Sequence, residues 1–311
     1  MKFPIYILLL LSLAACTKKE DQLTPSESLA YTLPQGNHDY DTTIMDYYKK
    51  YGTYLLYRFS DKDAYWTPTG WKNAYYDSAR SNWNIGFTAQ QAEEAYIGKQ
   101  LQMIQRLWFR YYSDKFLKEF LPVKVLLCSK VDSSWLGYDF STTPITFFLK
   151  YKEVGAWYNY DNISVNFGSA KVETMTATDS GYMTWKISQA FLSEIFALKP
   201  ITPTDDFNKL TNYTTKFTTQ AQAYSAGSIS DYYNTSAQND WNRFMLVMVS
   251  CSEAMLNKAE APSYSATNTG ILNPLKDTSG KIKKRYDMVR NYFITNYNVD
   301  LQAIGNAAIP Q

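Results

Sequence analysis

An apolar run over residues 5–15, broken only by Ser12, follows the basic residue Lys2. A basic start, an apolar run and a small-residue end are typical of a secretory signal that is cleaved from the mature protein. The run has about half of the roughly 20 residues that a membrane-spanning helix needs. No later apolar stretch of the sequence comes close to that length. We therefore predict a signal peptide over residues 1–15, and the folded body must be built from the chain behind it.

The four residues Leu13-Ala14-Ala15-Cys16 resemble the lipobox of bacterial lipoproteins, in which the cysteine accepts the lipid. This resemblance implies cleavage before Cys16, acylation of that cysteine and attachment to a membrane, because two acyl chains suffice for stable anchoring. Thr17 and the short charged patch behind it resemble the start of outer-membrane, often surface-exposed, lipoproteins of Bacteroidetes-type bacteria. The resemblance implies an outer-membrane location. The alternative is an ordinary secretory signal with an incidental cysteine.

Residues 16–42 are polar and include Pro34, Gly36 and the only histidine of the chain, His38. Such a composition buries too little apolar surface to fold, so a lipidated, flexible tether is predicted here. The remaining residues, 43–311, are predicted to form one large domain or two tightly joined ones.

The composition predicts an ordinary folded body. The chain is 45% hydrophobic and 19% charged, which is enough apolar material for a substantial core. A formal net charge of +2 gives no reason to expect nucleic acid as a partner. Beyond Cys16 there are two cysteines, Cys128 and Cys251, each in an apolar stretch. We expect two buried free thiols, with a disulfide as the alternative.

The hydrophobic patterns predict an α+β chain that is rich in helix. Thr88 and Gln91 form a capping-box pattern ahead of a long helix with apolar residues from Ile97 onward. Apolar runs at 123–128 and 145–149 predict two buried strands. Further strands are predicted at 53–59 and 163–167, and further helices at 41–50, 182–198, 205–217, 239–256 and 282–297. The helix at 239–256 is apolar almost all round, which places it in the core.

The scarcity of histidine excludes several kinds of active site from the body of the chain. With His38 in the tether, the domain has neither a Ser-His-Asp nor a Cys-His pair, nor the histidines that catalytic zinc sites use. The sequence also lacks a phosphate-binding G-x-x-x-x-G-K-[ST] loop and a G-x-G-x-x-G dinucleotide fingerprint. Hydrolysis by two carboxylates needs no histidine and stays open, but no pair stands out among the 29 acidic residues.

The segment 186–196 resembles the active helix of the substrate import-associated zinc metallohydrolase lipoproteins, which accompany outer-membrane glycan-import loci. Members of that family carry H-E-x-x-H on this helix, where two histidines one turn apart bind zinc and the glutamate activates water. In this chain the motif falls on residues 189–193, with Gln189, Ala190 and Ser193 at the positions of its histidine, glutamate and second histidine. The resemblance therefore implies a metallopeptidase-like helix whose catalytic metal, and any other cofactor, has been lost.

Weaker matches to the same family extend over most of the chain. They lie at residues 51–58, at 239–243 and at 283–301. Where relatives tend to have a glutamate, this chain has Arg243, which argues further against a metal. The fold implied is a helix-rich, zincin-like α+β domain with a small sheet and a long core helix, behind a signal peptide and tether. The alternative is an unrelated amphipathic core helix over residues 185–198.

Aromatic residues are the candidates for ligand binding, since the chain has 27 tyrosines and 8 tryptophans. Tyr and Trp combine an apolar ring with a polar tip, which suits a half-wetted binding surface. One group lies in a stretch rich in turn residues: Trp66, Trp71, Tyr75, Tyr76 and Trp83. The alternative is that these rings are ordinary core and edge residues.

A basic run near the C-terminus comprises Lys281, Lys283, Lys284 and Arg285. It is predicted to be the solvated face of the last long helix, with polybasic membrane contact as the alternative.

Together these features predict an outer-membrane lipoprotein that binds rather than hydrolyses. The expected role is that of a pseudoenzyme, a binding or accessory component of a glycan or peptide import system. Its expected partners are the membrane, an outer-membrane receptor and a transporter. The alternatives are a carboxylate-dependent glycosidase, a zinc hydrolase whose metal site has been misaligned, and a purely structural envelope protein.

Overall fold

The structure is a computed structural model that describes residues 31–66, 72–77, 79 and 82–308. The folded unit comprises Pro34–Gln311. The predicted signal peptide, Cys16 and most of the predicted tether lie outside the described residues, as does Trp71. Within the part that is described, no helix is long and apolar enough to span a bilayer.

Helices make up the larger part of the regular structure. In chain order they are α1 (Asp39–Tyr51), α2 (Asp61–Tyr65), α3 (Ile97–Leu107), α4 (Asp114–Phe120), α5 (Ala177–Leu198), α6 (Asp205–Lys209), α7 (Gln220–Ser225), α8 (Ala237–Ser250), α9 (Glu253–Leu256), α10 (Lys281–Tyr297) and α11 (Leu301–Ala307). Short 3₁₀ turns lie at Glu94–Tyr96, Phe109–Tyr111 and Ala170–Thr174.

The strands are short except for one. They are β1 (Tyr54–Leu56), β2 (Tyr75–Asp77), β3 (Asn82–Asn84), β4 (Gly86–Gln91), β5 (Lys124–Asp139), β6 (Thr146–Glu153), β7 (Ala156–Asn159) and β8 (Asn162–Val165). The class is mixed α+β, with a small sheet and a long helix, as the sequence predicts.

Strand β5 organises the main sheet, whose order is β1-β5-β8-β7. Its first half pairs in parallel with β1 and β8, so that Val125 stands opposite Leu55 on one side and Ile163 on the other. Side chains of a parallel strand are covered on both faces, which requires a continuous apolar run. Val125, Leu126 and Leu127 supply it and are completely buried. Strand β7 runs antiparallel to β8 at the end of the sheet.

Helix α5 packs beneath β7 and beside the core helix α8. It begins at a capping box, in which Thr176 Oγ1 accepts a hydrogen bond from the Asp179 amide at 3.1 Å and the Thr176 amide donates to the Asp179 carboxylate. The apolar side chains Ile187, Phe191 and Ile195 recur at helical spacing and are fully buried. The predicted helix at 182–198 is therefore confirmed and starts one turn earlier.

The folded body begins earlier than the predicted boundary at residue 43. Helix α1 starts at Asp39, and the chain before it is held in place. The side chain of Gln35 accepts hydrogen bonds from the amides of Tyr57 and Arg58, and Asp41 accepts one from the Tyr57 hydroxyl. The composition argument for a tether missed these long-range contacts, so residues 34–42 belong to the domain.

Two further predictions from local pattern are wrong. Thr88 and Gln91 do not cap a helix, because they lie in strand β4, where Thr88 pairs with Asp132 of β5. The predicted helix at 205–217 ends after Lys209. Asn212 Oδ1 accepts hydrogen bonds from the amide and hydroxyl of Thr214, a turn that competes with helix continuation.

The basic run at the start of α10 divides into exposed and buried parts. Lys281, Lys283 and Lys284 are exposed, as predicted, but Arg285 is completely buried. The prediction of a solvated residue at 285 is therefore wrong, because its side chain meets the carboxylate of Asp240 inside the core.

Both cysteines of the body are buried free thiols, as predicted, and burial raises the pKa of each.

Candidate functional site

A cleft opens between strand β7, helix α5 and helix α8. Its volume is about 360 Å³. We call it the β7–α5 cleft. The lining residues are Ala156, Trp157 and Tyr158 from β7, Lys186, Gln189, Ala190 and Ser193 from α5, and Leu246 from α8.

All three matched motif positions of α5 line this cleft. Gln189, Ala190 and Ser193 face it because positions three and four apart share one side of a helix. The Ser193 hydroxyl donates a hydrogen bond to the Gln189 carbonyl at 2.9 Å, so its proton is used within the helix. Gln189, Ala190 and Ser193 therefore form one wall of the cleft.

The donor atoms at these positions do not fit zinc. Structural and catalytic zinc sites use thiolate, imidazole and carboxylate ligands, whereas the cleft offers an amide, a methyl group and a hydroxyl. Across the ranges 31–66, 72–77 and 82–308, no three His, Cys, Asp or Glu side chains are grouped closely enough to hold a metal ion.

Arg243 lies in a second hollow that adjoins the β7–α5 cleft at Leu246. This hollow has a volume of about 250 Å³ and is lined by Phe196, Ser230, Asp231, Asn234, Asn239, Asn242, Arg243 and Leu246. The guanidinium group of Arg243 donates to Asn268 Oδ1 at 2.6 Å. The two segments that carry the resemblance thus lie side by side, although Arg243 itself points to a polar loop contact.

A positive charge stands at one end of the β7–α5 cleft. Lys186 is half-buried, and desolvation together with the charge of Lys152 lowers its pKa. Among the residues that the structure describes, no carboxylate lies within ion-pair distance of either lysine. A partly desolvated Lys186 without a counterion, with the exposed Lys152 nearby, favours an anionic group on any ligand that enters the cleft.

The aromatic wall of the cleft is fixed by packing. The Trp157 ring stacks on Phe87 with the ring centroids 5.6 Å apart. Trp157 and Tyr158 are both half-buried, and burial raises the pKa of Tyr158. Rings held in this way present apolar surface without a large loss of side-chain entropy on binding.

Sequence reasoning missed a buried carboxyl beside the cleft, Glu194. The side chain is 1% exposed, and its Oε2 atom has no hydrogen-bond partner among the described residues. Burial raises its pKa to about 7, against a smaller opposing effect of Lys199. Glu194 follows Ile187 and Phe191 at intervals of seven and three, which places it on their buried face. That spacing was a usable signal in the sequence.

The predicted aromatic group is brought together only in part. The rings of Tyr76 and Trp83 pack with centroids 4.3 Å apart. Tyr75 is half-buried on β2, opposite Asn84, and Trp66 is exposed beside Lys62, whose ammonium group lies 4.7 Å from the ring centroid. Tyr76 and Trp83 instead join rings of the β5–β6 hairpin, which the sequence did not associate with them.

Comparison with known proteins gives one structural likeness. No protein-family model and no curated protein matches the chain. A crystal structure described as that of a "putative zinc-binding metallo-peptidase" from Bacteroides caccae is similar with a TM-score of 0.44 and 13% sequence identity. The similarity covers 85% of this chain and 87% of that one.

Proposed function

We propose that this chain is a lipid-anchored outer-membrane protein that binds an extended peptide in the β7–α5 cleft without hydrolysing it. The observation that carries the proposal is the position of β7. This strand borders the cleft and ends the described sheet, with β8 as its one strand neighbour among the described residues.

An edge strand presents backbone amides and carbonyls that have no partner strand. An extended peptide can pair with such an edge, because the backbone hydrogen bonds supply affinity for many sequences. Neighbouring pockets then select side chains. In the β7–α5 cleft, Trp157 and Tyr158 offer apolar contact, while Gln189 and Ser193 offer polar groups.

Charge supports one class of peptide. Burial lowers the pKa of Lys186, and the nearby charge of Lys152 adds a smaller effect in the same direction. A carboxylate on the ligand would relieve this repulsion and gain a charge-assisted hydrogen bond. The favoured ligand is therefore an extended peptide with an acidic side chain or a free C-terminus near Lys186.

Peptide binding can be measured by fluorescence anisotropy with labelled extended peptides that carry either Glu or Gln at one position. The Glu peptide is expected to bind more tightly, and Lys186→Ala is expected to weaken it by about tenfold, the order of one hydrogen bond to a charged group. Lys284→Ala serves as the matched control, because Lys284 is an exposed lysine on α10. If linear oligosaccharides bind and none of the peptides does, the ligand is a glycan and the peptide proposal is wrong.

Hydrolysis is the rival function. Glu194 favours it, since a buried carboxyl with a pKa near 7 suits general acid and base work. Glu194, however, is not among the side chains that line the β7–α5 cleft. Near-stoichiometric zinc in the purified protein, lost on changing Gln189 or Ser193, would overturn non-hydrolytic binding.

The outer-membrane anchor and a role beside an import receptor and transporter are part of the same proposal. They are supported by the lipobox-like segment that ends at Cys16. Mass spectrometry of the mature N-terminal peptide tests the anchor directly. An acylated Cys16, lost in Cys16→Ala, is the expected result, and an unmodified, secreted chain would contradict it.

A further inference from the structure

The far half of β5 and strand β6 form a hairpin that leaves the core. Residues 132–139 pair with residues 146–153 in continuous antiparallel register, from Asp132 opposite Glu153 to Asp139 opposite Thr146. Every residue from 143 to 152 is exposed, on both faces of the hairpin. We call residues 135–150 the β5–β6 ribbon. The prediction of a buried strand at 145–149 is therefore wrong, because these apolar residues face outward.

The ribbon exposes an unusual amount of apolar side chain. Phe140 at the turn is 76% exposed and Phe147 is 50% exposed. Other large apolar residues of the ribbon with substantial exposure are Trp135, Tyr138, Ile145, Phe148 and Leu149. Single exposed apolar residues are common on proteins, but a contiguous set of this size marks an interaction surface.

Aromatic rings gather near the tip of the ribbon, where Tyr138 stands opposite Phe147. The Trp83 ring lies 5.3 Å from Tyr138 and 5.2 Å from Phe147, between centroids. The Tyr76 ring also packs on Trp83, with the centroids 4.3 Å apart. Tyr and Trp rings with one wet and one apolar side are the residues enriched where proteins meet the interface of a lipid bilayer.

Charged side chains are absent from the tip of the ribbon and begin behind it. From residue 140 to residue 149 the ribbon has no charged side chain. Lys150 and Lys152 follow, and no carboxylate among the described residues pairs with them. Asp139 is occupied within the turn, where it accepts hydrogen bonds from the amide and hydroxyl of Ser141. An uncharged apolar tip backed by unpaired lysines is complementary to an anionic lipid surface.

The backbone limits how deep such a ribbon can go. Hydrocarbon does not tolerate unsatisfied amides and carbonyls, and the outer edge of β6 has no strand partner among the described strands. The ribbon can therefore enter the headgroup region, where water remains, but not cross the bilayer.

We propose that the β5–β6 ribbon is a peripheral membrane contact, inserted with Phe140 and Ile145 foremost into the interface of an anionic bilayer. The contact is separate from the β7–α5 cleft. It rests on the proposed function only in that an anchor at Cys16 would keep the ribbon close to a membrane. The 18 positions from Cys16 to Pro34 can span at most about 60 Å.

The test uses the chain from residue 17 onward, without acyl groups, which contains the whole folded unit. Co-sedimentation is measured with vesicles of phosphatidylglycerol and phosphatidylethanolamine in equal parts, and with vesicles of phosphatidylcholine alone. The unacylated chain is expected to bind the anionic vesicles more strongly, and added salt is expected to weaken that binding. Phe140→Ser with Ile145→Ser is expected to lower the partition constant by about tenfold or more. Lys150→Gln with Lys152→Gln is expected to remove the preference for anionic lipid.

Matched controls are Tyr233→Ser and Leu275→Ser, which alter equally exposed apolar residues outside the ribbon. Equal vesicle binding by the Phe140 and Ile145 variant, or none by the unaltered chain, overturns the proposal. A concentration-dependent dimer that the same variant abolishes would also overturn it, in favour of a second copy as the occupant. Peptide binding measured on the Phe140 and Ile145 variant, which leaves Lys152 and Lys186 unchanged, keeps the result distinct from failure at the β7–α5 cleft. Acylation of Cys16 is scored independently by mass.

Discussion

Arg285 and Asp240 form an ion pair in which both side chains are completely buried, with Nη1 and Oδ2 2.9 Å apart. The pair joins helix α10 to the start of α8. Asp240 also accepts hydrogen bonds from the Ser228 hydroxyl and the amides of Ile229 and Ser230, so the carboxylate is well solvated by protein groups. The Arg285 guanidinium lies 3.7 Å from the centroid of the Phe207 ring.

Removing one partner of this pair is expected to be costly. Arg285→Met leaves the Asp240 carboxylate buried without its cation, which should lower the free energy of unfolding by about 3–5 kcal/mol. Urea denaturation monitored by circular dichroism measures it. Lys284→Ala, one residue earlier but exposed, should change stability by less than about 0.5 kcal/mol. Equal effects of the two substitutions would contradict a stabilising role for the buried contact.

Glu194 is expected to make stability depend on pH. Its pKa in the folded chain is raised to about 7, above its ordinary value of 4.5, so the folded state holds the proton more tightly than the unfolded state. Stability should therefore be highest below about pH 4.5 for this group and fall as the pH rises towards 7, by at most about 3 kcal/mol. Denaturation of Glu194→Gln across this range should lack that decline. A decline that persists in Glu194→Gln must come from another group.

Rebuilding a histidine pair tests whether positions 189 and 193 share one accessible face of the β7–α5 cleft. Gln189→His with Ser193→His places two imidazoles one turn apart on the wall of the β7–α5 cleft, a spacing that lets both bind one metal ion. Zinc affinity, measured by competition with a metal indicator, is expected to rise by at least about tenfold. Gln189→His alone, which supplies a single imidazole on the same wall, serves as the control. An unchanged affinity in the rebuilt pair would mean that the two side chains do not share a face of the cleft.

Two helical glycines should respond in opposite ways to alanine. A Cβ on Gly305 in α11 would lie 2.0 Å from the Met248 carbonyl oxygen, where neither backbone can yield. A Cβ on Gly98 in α3 would meet no atom within 4 Å. Gly305→Ala should therefore destabilise the fold by several kcal/mol, about 3 or more, whereas Gly98→Ala should stabilise it by about 0.5–1 kcal/mol. Thermal unfolding of both variants gives the comparison, and two changes of the same sign would contradict the packing of α11 against α8.

The sequence predicts those parts of the fold in which local pattern and burial agree. The stripe on α5, with Ile187, Phe191 and Ile195, is one such case, and the buried run Val125 to Leu127 is another. The shared face of Gln189 and Ser193 follows from helical spacing alone. The cleft that this face lines also needs β7 and α8, which the sequence did not bring to it.

Predictions fail where a distant partner decides the outcome. Arg285 looks like part of a solvated basic run, since nothing near it in sequence reveals Asp240, 45 positions away. Thr88 carries a helix-capping pattern, yet it lies in strand β4 because it pairs with Asp132 of β5. The residues at 145–149 are apolar enough for a core strand, but pattern gives no information on whether a covering layer exists.

Strand β5 runs without a break from the centre of the sheet into the ribbon. It therefore connects the ribbon rigidly to the core. A membrane that fixed the tip would also fix the angle of the whole body, since the same backbone ends between β1 and β8. The mouth of the β7–α5 cleft would then open at a constant height and tilt above the lipid. Position, in such an arrangement, would be set by one continuous piece of backbone within the folded body.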